Sequence, residues 1–149
     1  MAHPPPPVEA SLFFKLVRVV NLTARPFVEG IGKDERLTLS EWRVMVVLAA
    51  HPGCAAQEVV ASTALDKMTV SRAVDALKRQ GRLLRSADPA DRRRALLVLS
   101  AAGRRVYEKV GEGGKRREPQ LFAAVTRDEQ VALGKTLDAL IENLLAQGE

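Results

Sequence analysis

The chain has 149 residues, 46 % of them apolar and 28 % charged, with a net charge of +5; this is enough apolar material for a core and an ordinary charge load for a soluble protein. No linker is long enough to separate two cores, so a single domain over 1–149 is expected. One cysteine excludes an internal disulfide, and no apolar run reaches the roughly 20 residues that span a bilayer, so a protein of the cytoplasm without membrane contact is expected.

The opening Met1-Ala-His-Pro-Pro-Pro-Pro7 lacks the apolar centre of a signal peptide and reads as a polyproline arm. A first helix is predicted from Val8 to about Ala24. Leu12, Leu16, Val19 and Val20 repeat at helical spacing, and Phe13 and Val17 widen the stripe. A stripe that wide has more than one neighbour to cover, which hints at a partner subunit. Pro26, then Gly30 and Gly32, are expected to end it. Thr38-Leu-Ser-Glu41 has the spacing of a capping box, in which the two side chains satisfy each other's free backbone donors. It opens a second helix from Ser40 to about Ala50. Trp42, Met45 and Ala49 form one apolar row and Val44, Val47 and Leu48 another, the pattern of a central helix. His51-Pro-Gly53 stops it.

A short third helix follows, about Ala55 to Ser62, with Val59 and Val60 inward and Gln57 and Glu58 outward. Thr63-Ala-Leu65 is a turn, and Asp66 can cap a fourth helix that Gly81 closes. Val70, Val74 and Leu77 give this helix an apolar inner row, while Met68, Thr69, Arg72, Asp75 and Arg79 occupy the other side. Arg82–Ala87 and Ala95–Leu99 carry strand-favouring aliphatic residues around the turn chemistry of Asp88-Pro-Ala-Asp91.

Helix, short turn, helix and hairpin in this order are the parts of a winged helix-turn-helix, whose second helix enters the major groove of DNA. From Asp66 to Arg105 eleven basic residues stand against four acidic ones, a surplus of +7 that leaves −2 for the rest of the chain. Such a concentrated positive field points to a polyanion, although a solvated basic surface is the alternative on charge alone. Lys67, Met68, Thr69, Ser71 and Arg72 lie near the start of the fourth helix, where base edges and phosphates come within reach, and Lys78 lies further along it. Arg72 is the candidate for a base contact because its fork can hydrogen-bond guanine twice. Arg92, Arg93 and Arg94 follow the hairpin turn, and a narrow minor groove attracts arginine. Phosphate would repel Asp91, so its expected task is to pair with a neighbouring arginine and shape the wing. The alternative for this loop is an exposed turn whose arginines keep an edge strand soluble.

Ser100 can cap a fifth helix beginning Ala101-Ala-Gly-Arg-Arg-Val-Tyr107. Gly111, Gly113, Gly114 and Pro119 make a kink or break between Gly111 and Pro119 the expectation, since each glycine costs about 1 kcal/mol and a proline about 3 in a helix interior. That break is either a hinge or a tolerated irregularity. Thr126-Arg-Asp-Glu129 is a second capping box and opens a sixth helix whose stripe is Leu133, Leu137, Leu140, Ile141, Leu144 and Leu145. No other core is available to this stripe unless it folds back on its own domain. A partner copy is therefore the expected cover, with about 1.5–3 kcal/mol for each aliphatic side chain buried, and folding back is the alternative.

Leu37-Thr-Leu-Ser-Glu-Trp-Arg-Val44, Asp66-Lys-Met-Thr-Val-Ser-Arg72, Asp88-Pro-Ala-Asp-Arg-Arg93 and Leu99-Ser-Ala-Ala-Gly103 together resemble the MarR family of bacterial regulators, in order and spacing from Leu37 to about Tyr107. Ala90 departs from the family, which often has an arginine there. The resemblance implies a mainly α fold with a small β-hairpin wing: a winged helix-turn-helix of six helices in one MarR-like domain. About 37–100 would be the DNA-binding lobe, and about 8–30 and 101–147 would be dimerisation helices.

The resemblance further implies a homodimer on a pseudo-palindromic operator in double-stranded DNA. The dimer residues would be Leu12, Leu16, Leu133, Leu137, Leu140, Ile141 and Leu144. It implies a repressor released by a small aromatic or phenolic effector, with Phe13, Trp42 and Arg43 as pocket candidates, although tryptophan on a central helix is more often core. Some relatives sense peroxide through a cysteine. Cys54 sits in the turn before the third helix, has no second cysteine to resolve it, and reads as a small half-buried filler.

Two other classes compete. An enzyme is disfavoured because His3 and His51 are the only histidines and no phosphate loop, metal-spaced cluster or nucleophile constellation is present, so no cofactor or metal is expected. A winged helix that binds DNA without sequence preference or contacts proteins, and a cysteine-based redox regulator, stay open.

Overall fold

The computed structural model describes residues 7–148. The proline arm up to Pro6, with His3, therefore lies outside the described residues. A 3₁₀ turn, Val8–Ala10, leads into α1 (Leu12–Glu29), α2 (Ile31–Asp34), α3 (Leu39–Ala50), α4 (Ala56–Thr63) and α5 (Lys67–Arg79). The hairpin β1 (Leu83–Ala87) and β2 (Ala95–Leu99) follows, then α6 (Ala101–Gly114), α7 (Arg117–Leu121) and α8 (Arg127–Gln147). The chain divides into two compact units, one ending at Glu112 and the other beginning at Gly113.

In the first unit α3 is the central element, packed against α4, α5 and β2. Its cap forms as the spacing predicts: Thr38 Oγ1 accepts the Glu41 N–H at 3.2 Å, and the Glu41 carboxylate accepts the Thr38 N–H. Val44, Met45 and Leu48 are fully buried, with Val59 of α4, Val70, Val74 and Leu77 of α5, and Leu83, Leu97 and Leu99 of the hairpin. Burying side chains of this kind stabilises by about 1.5–3 kcal/mol each. Trp42 stacks between Phe27 at 6.1 Å and Tyr107 at 5.3 Å, so one ring column joins α1, α3 and α6.

The strands pair antiparallel from Leu83 opposite Leu99 to Ala87 opposite Ala95. Leu83 is buried while the rest of β1 is exposed, so the hairpin is rooted at one end and projects at the other. The turn before α4 adds a single bridge to this sheet: Gly53 N–H donates to Leu97 O, and Leu97 N–H donates to Cys54 O at 3.0 Å. At the root, Ser100 Oγ accepts the Gly103 N–H and donates to Gly81 O. Gly103 is required there. A Cβ on it would lie 1.9 Å from the Arg82 carbonyl oxygen, so only glycine lets α6 approach the start of β1.

Two expectations about the ends of helices need correction. Pro26 does not stop the first helix: it lies inside α1, which continues to Glu29 and breaks at Gly30. Proline removes one bond, to the carbonyl of Leu22, and that stretch of α1 is exposed, so water can take the donor's place. The six expected helices are also joined by two short ones, α2 and α7. Pro119 is the third residue of α7, where a backbone N–H would have no helical partner anyway.

The expected interruption falls at Lys115 and Arg116, after a run in which Gly111, Gly113 and Gly114 have nothing within 4 Å of where a Cβ would stand. In the second unit Thr126 and Glu129 form the expected box, and their hydrogen bonds hold the Glu129 carboxyl below its ordinary pKa. No residue of α8 is buried. No described helix is long and apolar enough to cross a membrane.

Candidate nucleic-acid interface

The α4–turn–α5 unit is short and tightly closed. Thr63 Oγ1 donates to Val59 O and accepts the Leu65 N–H, while Ala64 takes a left-handed conformation with φ +56° to end α4. Asp66 then caps α5 with both carboxylate oxygens: Oδ1 accepts the Thr69 N–H at 2.8 Å and Oδ2 accepts the Thr69 hydroxyl at 2.6 Å. These bonds, the hydroxyl first, hold the Asp66 carboxyl below its ordinary pKa. Gly81, at φ +70°, ends the helix as its position after Gln80 predicts.

The buried row of α5 is Val70, Ala73, Val74 and Leu77. It fixes the helix against α3 and α4 and turns Met68, Ser71, Arg72, Lys78 and Arg79 outward, all exposed. Lys67 and Met68 occupy the first two helical positions, at the helix end whose dipole favours an anion. Met68 is 61 % exposed, a large apolar side chain held in solvent at the start of this helix. Thr69 is half-buried and its hydroxyl hydrogen is spent on Asp66, which leaves only acceptor capacity.

Between α5 and the hairpin lies a cleft of about 530 Å³. Lys67, Ser71 and Asp75 line one wall and Arg85, Asp91, Arg93 and Arg94 the other, with Ala55, Ala56, Gln57 and Val60 at the end of α4. Recognition-helix and wing residues that are separated in sequence therefore share one surface. Arg85 and Asp75 belong to it although their sequence neighbourhood singled out neither as a site residue. Their only signal was a place on the polar side of a strand and of a helix.

The hairpin loop is shaped by its two aspartates. Asp88 Oδ1 accepts the Ala90 N–H at 2.9 Å, Asp91 Oδ1 accepts the Arg93 N–H at 3.0 Å, and Asp88 N–H donates to Arg94 O across the base of the loop. The Asp91 side chain therefore holds a backbone amide, where the sequence suggested an ion pair with an arginine. Arg92 and Arg93 are exposed. Arg94, grouped with them by sequence, is turned back: Nη2 donates to Glu58 Oε2 of α4, and Nε lies 4.0 Å from Asp88 Oδ2, an ion-pair distance.

The other predicted site residues fall apart from this surface. Phe13 is 76 % exposed on α1, whereas Trp42 is held in the ring column with Phe27 and Tyr107, and Arg43 is half-buried on α3. None of the three lines the cleft. Cys54 is buried rather than half-buried, and burial, then the nearby Glu58 carboxylate, pushes its thiol above its ordinary pKa. Among the described residues no group of three or more His, Cys, Asp or Glu is placed to hold a metal ion.

A capped helix-turn-helix followed by a rooted, projecting hairpin defines a winged helix-turn-helix protein. Residues 37–94 match the model of the MarR family. A probable transcriptional regulator from Pseudomonas aeruginosa is 31 % identical, with 90 % of this chain and 99 % of that one aligned at a TM-score of 0.77. BpsR of Bordetella bronchiseptica, whose DNA binding is regulated by 6-hydroxynicotinic acid, is 27 % identical over 91 % of this chain and 96 % of that one, with a TM-score of 0.79. A putative transcriptional regulatory protein for the hcr operon of Thauera aromatica is 26 % identical over 136 residues, 91 % of this chain and 80 % of that protein. The chain belongs to the MarR family and is a transcriptional regulator of that type, not an enzyme.

Proposed function

We propose that the protein binds a pseudo-palindromic operator as a homodimer and represses transcription until a small aromatic or phenolic effector releases it. The observation that carries the DNA-binding part is the shared surface of α5 and the wing, on which Lys67, Ser71 and Arg93 line one cleft and Met68, Arg72 and Arg92 stand exposed beside it. In this reading α5 enters the major groove. Arg72 hydrogen-bonds a base, Met68 offers an apolar contact to a thymine methyl, and Thr69 and Ser71 supply shorter polar groups. Lys67 and Lys78 meet phosphate, while Arg92 and Arg93 reach the adjacent minor groove from a loop whose shape Asp91 maintains.

The homodimer follows from the apolar faces left uncovered. Leu12 and Leu16 of α1 are exposed, as are Leu133, Leu137, Leu140, Ile141 and Leu144 of α8. Apolar residues left exposed along a helix face mark an interaction surface, and a second copy is the occupant the family resemblance supplies. The chain then works as one MarR-like domain, about 37–100 contacting DNA and about 8–30 and 101–147 pairing the copies. Acting on DNA inside a bacterium, it works in the cytoplasm. The effector reading draws on BpsR, which responds to an aromatic acid; Phe13, Trp42 and Arg43 are kept as pocket candidates from the family resemblance alone. An effector of this kind releases DNA by binding a dimer geometry that does not fit the operator.

Selection of duplexes from a random pool, followed by titration of variants, tests the reading. Arg72→Ala lowers the preference for the selected sequence over random duplex by about 1–3 kcal/mol, while Lys78→Ala weakens all duplexes alike. Equal effects of both changes on selected and random DNA contradict the base-reading role of Arg72.

A further inference from the structure

We propose that Arg94 is a positioning residue: Glu58, Arg94 and Asp88 form a latch that holds the wing against α4, so that Arg92 and Arg93 meet DNA at a fixed place. The proposal rests on the DNA-binding reading above and assigns a different task to one of three consecutive arginines.

The three side chains are chemically identical, and their surroundings differ. Arg92 and Arg93 are exposed at the loop, whereas Arg94 is half-buried and directed at two carboxylates. Glu58 Oε2 accepts from Arg94 Nη2 and also from the Ala55 N–H at 2.6 Å, so one oxygen joins the wing to the N-terminus of the first helix of the motif. A carboxylate is favoured in that first turn by the helix dipole whether or not the arginine is bound. Those same two partners, the Ala55 amide first, hold the Glu58 carboxyl below its ordinary pKa. On the wing itself, Arg94 is pinned through its backbone: its N–H donates to Asp91 O and its carbonyl accepts from the Asp88 N–H.

A latch is needed because the outer hairpin has little else to hold it. Below Arg94, the backbone bridge between Cys54 and Leu97 anchors β2 to the turn before α4. Beyond that point Arg85, Ser86 and Ala87 of β1 are exposed, and a two-stranded ribbon is marginal by itself in water. The Glu58–Arg94 bond crosses from the outer end of β2 to α4 and closes the second point of attachment. Two attachments fix an angle where one leaves a pivot.

The sign of one effect separates this from a direct contact. Glu58 is an anion beside a surface that faces DNA, so plain electrostatics has its removal strengthen binding. The latch has its removal weaken binding, because the wing loses its second attachment.

The test uses the full-length protein as wild type, Glu58→Gln, Arg94→Ala, Arg94→Lys and Arg93→Ala. Affinity for the selected duplex is measured across a salt series, and amide exchange of the hairpin is measured without DNA. The latch predicts that Glu58→Gln and Arg94→Ala each weaken binding about fivefold, with Arg94→Lys in between. Arg94→Ala leaves the slope of log K against log salt unchanged, whereas Arg93→Ala lowers it by about 0.9, the loss of one cation from the duplex surface. Both latch variants speed exchange in the hairpin and leave α3 unchanged. Tighter binding by Glu58→Gln, or a slope change in Arg94→Ala equal to that of Arg93→Ala, overturns the proposal and makes Arg94 a DNA ligand. Unaltered hairpin exchange in both variants overturns it too. Faster exchange in a protein whose wild type selects no duplex instead overturns the DNA-binding reading, and the latch's role in placing the wing on DNA falls with it.

Discussion

The helix-turn-helix lobe and the helix α8 draw on the same aliphatic residues and use them in opposite ways. In the lobe, Met45, Leu48, Leu77, Leu83 and Leu97 are among the largest fully buried side chains, and the helices are set by their contacts with one another. In α8, Leu133, Leu137, Leu140, Ile141 and Leu144 are all exposed on a helix of 21 residues that buries none of them. A core that closes on itself can orient a recognition helix. An apolar face that stays open needs another surface, which the proposed second copy would supply.

The largest effect is expected where the lobe has no room. Gly103→Ala puts a Cβ 1.9 Å from a backbone oxygen of Arg82, so α6 and the hairpin root must move apart. A loss of about 3 kcal/mol or more in denaturant unfolding is expected, at or above the upper end for overpacked sites because the clash is with backbone. Met45→Ala empties a fully buried site in the same lobe and should cost about 2–5 kcal/mol by the same measurement. A loss below 1 kcal/mol for both would mean that the lobe is not the self-contained core described.

The complementary change belongs on α8. Leu137→Asp with Leu144→Asp places charge on its exposed apolar face, where each aliphatic side chain buried in a dimer is worth about 1.5–3 kcal/mol. Sedimentation should shift from two copies to one while circular dichroism retains the helices of the lobe. A variant that stays dimeric removes α8 from the interface.

The smallest effect concerns the connection between the two units. Gly113→Ala meets nothing within 4 Å, so it should stabilise α6 by up to about 1 kcal/mol in thermal or denaturant unfolding. If operator affinity also changes severalfold, the glycine run is a hinge used in binding; if affinity is unchanged, it is a tolerated irregularity.

Signals confined to a few neighbouring residues were readable in the sequence. The boxes at Thr38 and Thr126, the cap at Asp66, the cap at Ser100 and the left-handed stop at Gly81 all form, because each depends on residues within one turn. Position within the fold was less readable. Pro26 lies inside a helix because that stretch is exposed and the bond it removes is replaceable by water. The partner of Arg94 is Glu58, 36 residues earlier, a pairing that no local pattern announces. Arg92, Arg93 and Arg94 are indistinguishable as letters, and only the fold separates the two exposed ones from the one turned inward.

In the proposed function two copies read one operator, each through α5 and its wing. Duplex selection from a random pool, followed by the mass of the complex on the selected sequence, tests it most directly. A pseudo-palindrome with half-sites about 10 base pairs apart, bound by two chains, is expected. A selected sequence without two-fold symmetry, or a complex holding a single chain, would contradict it.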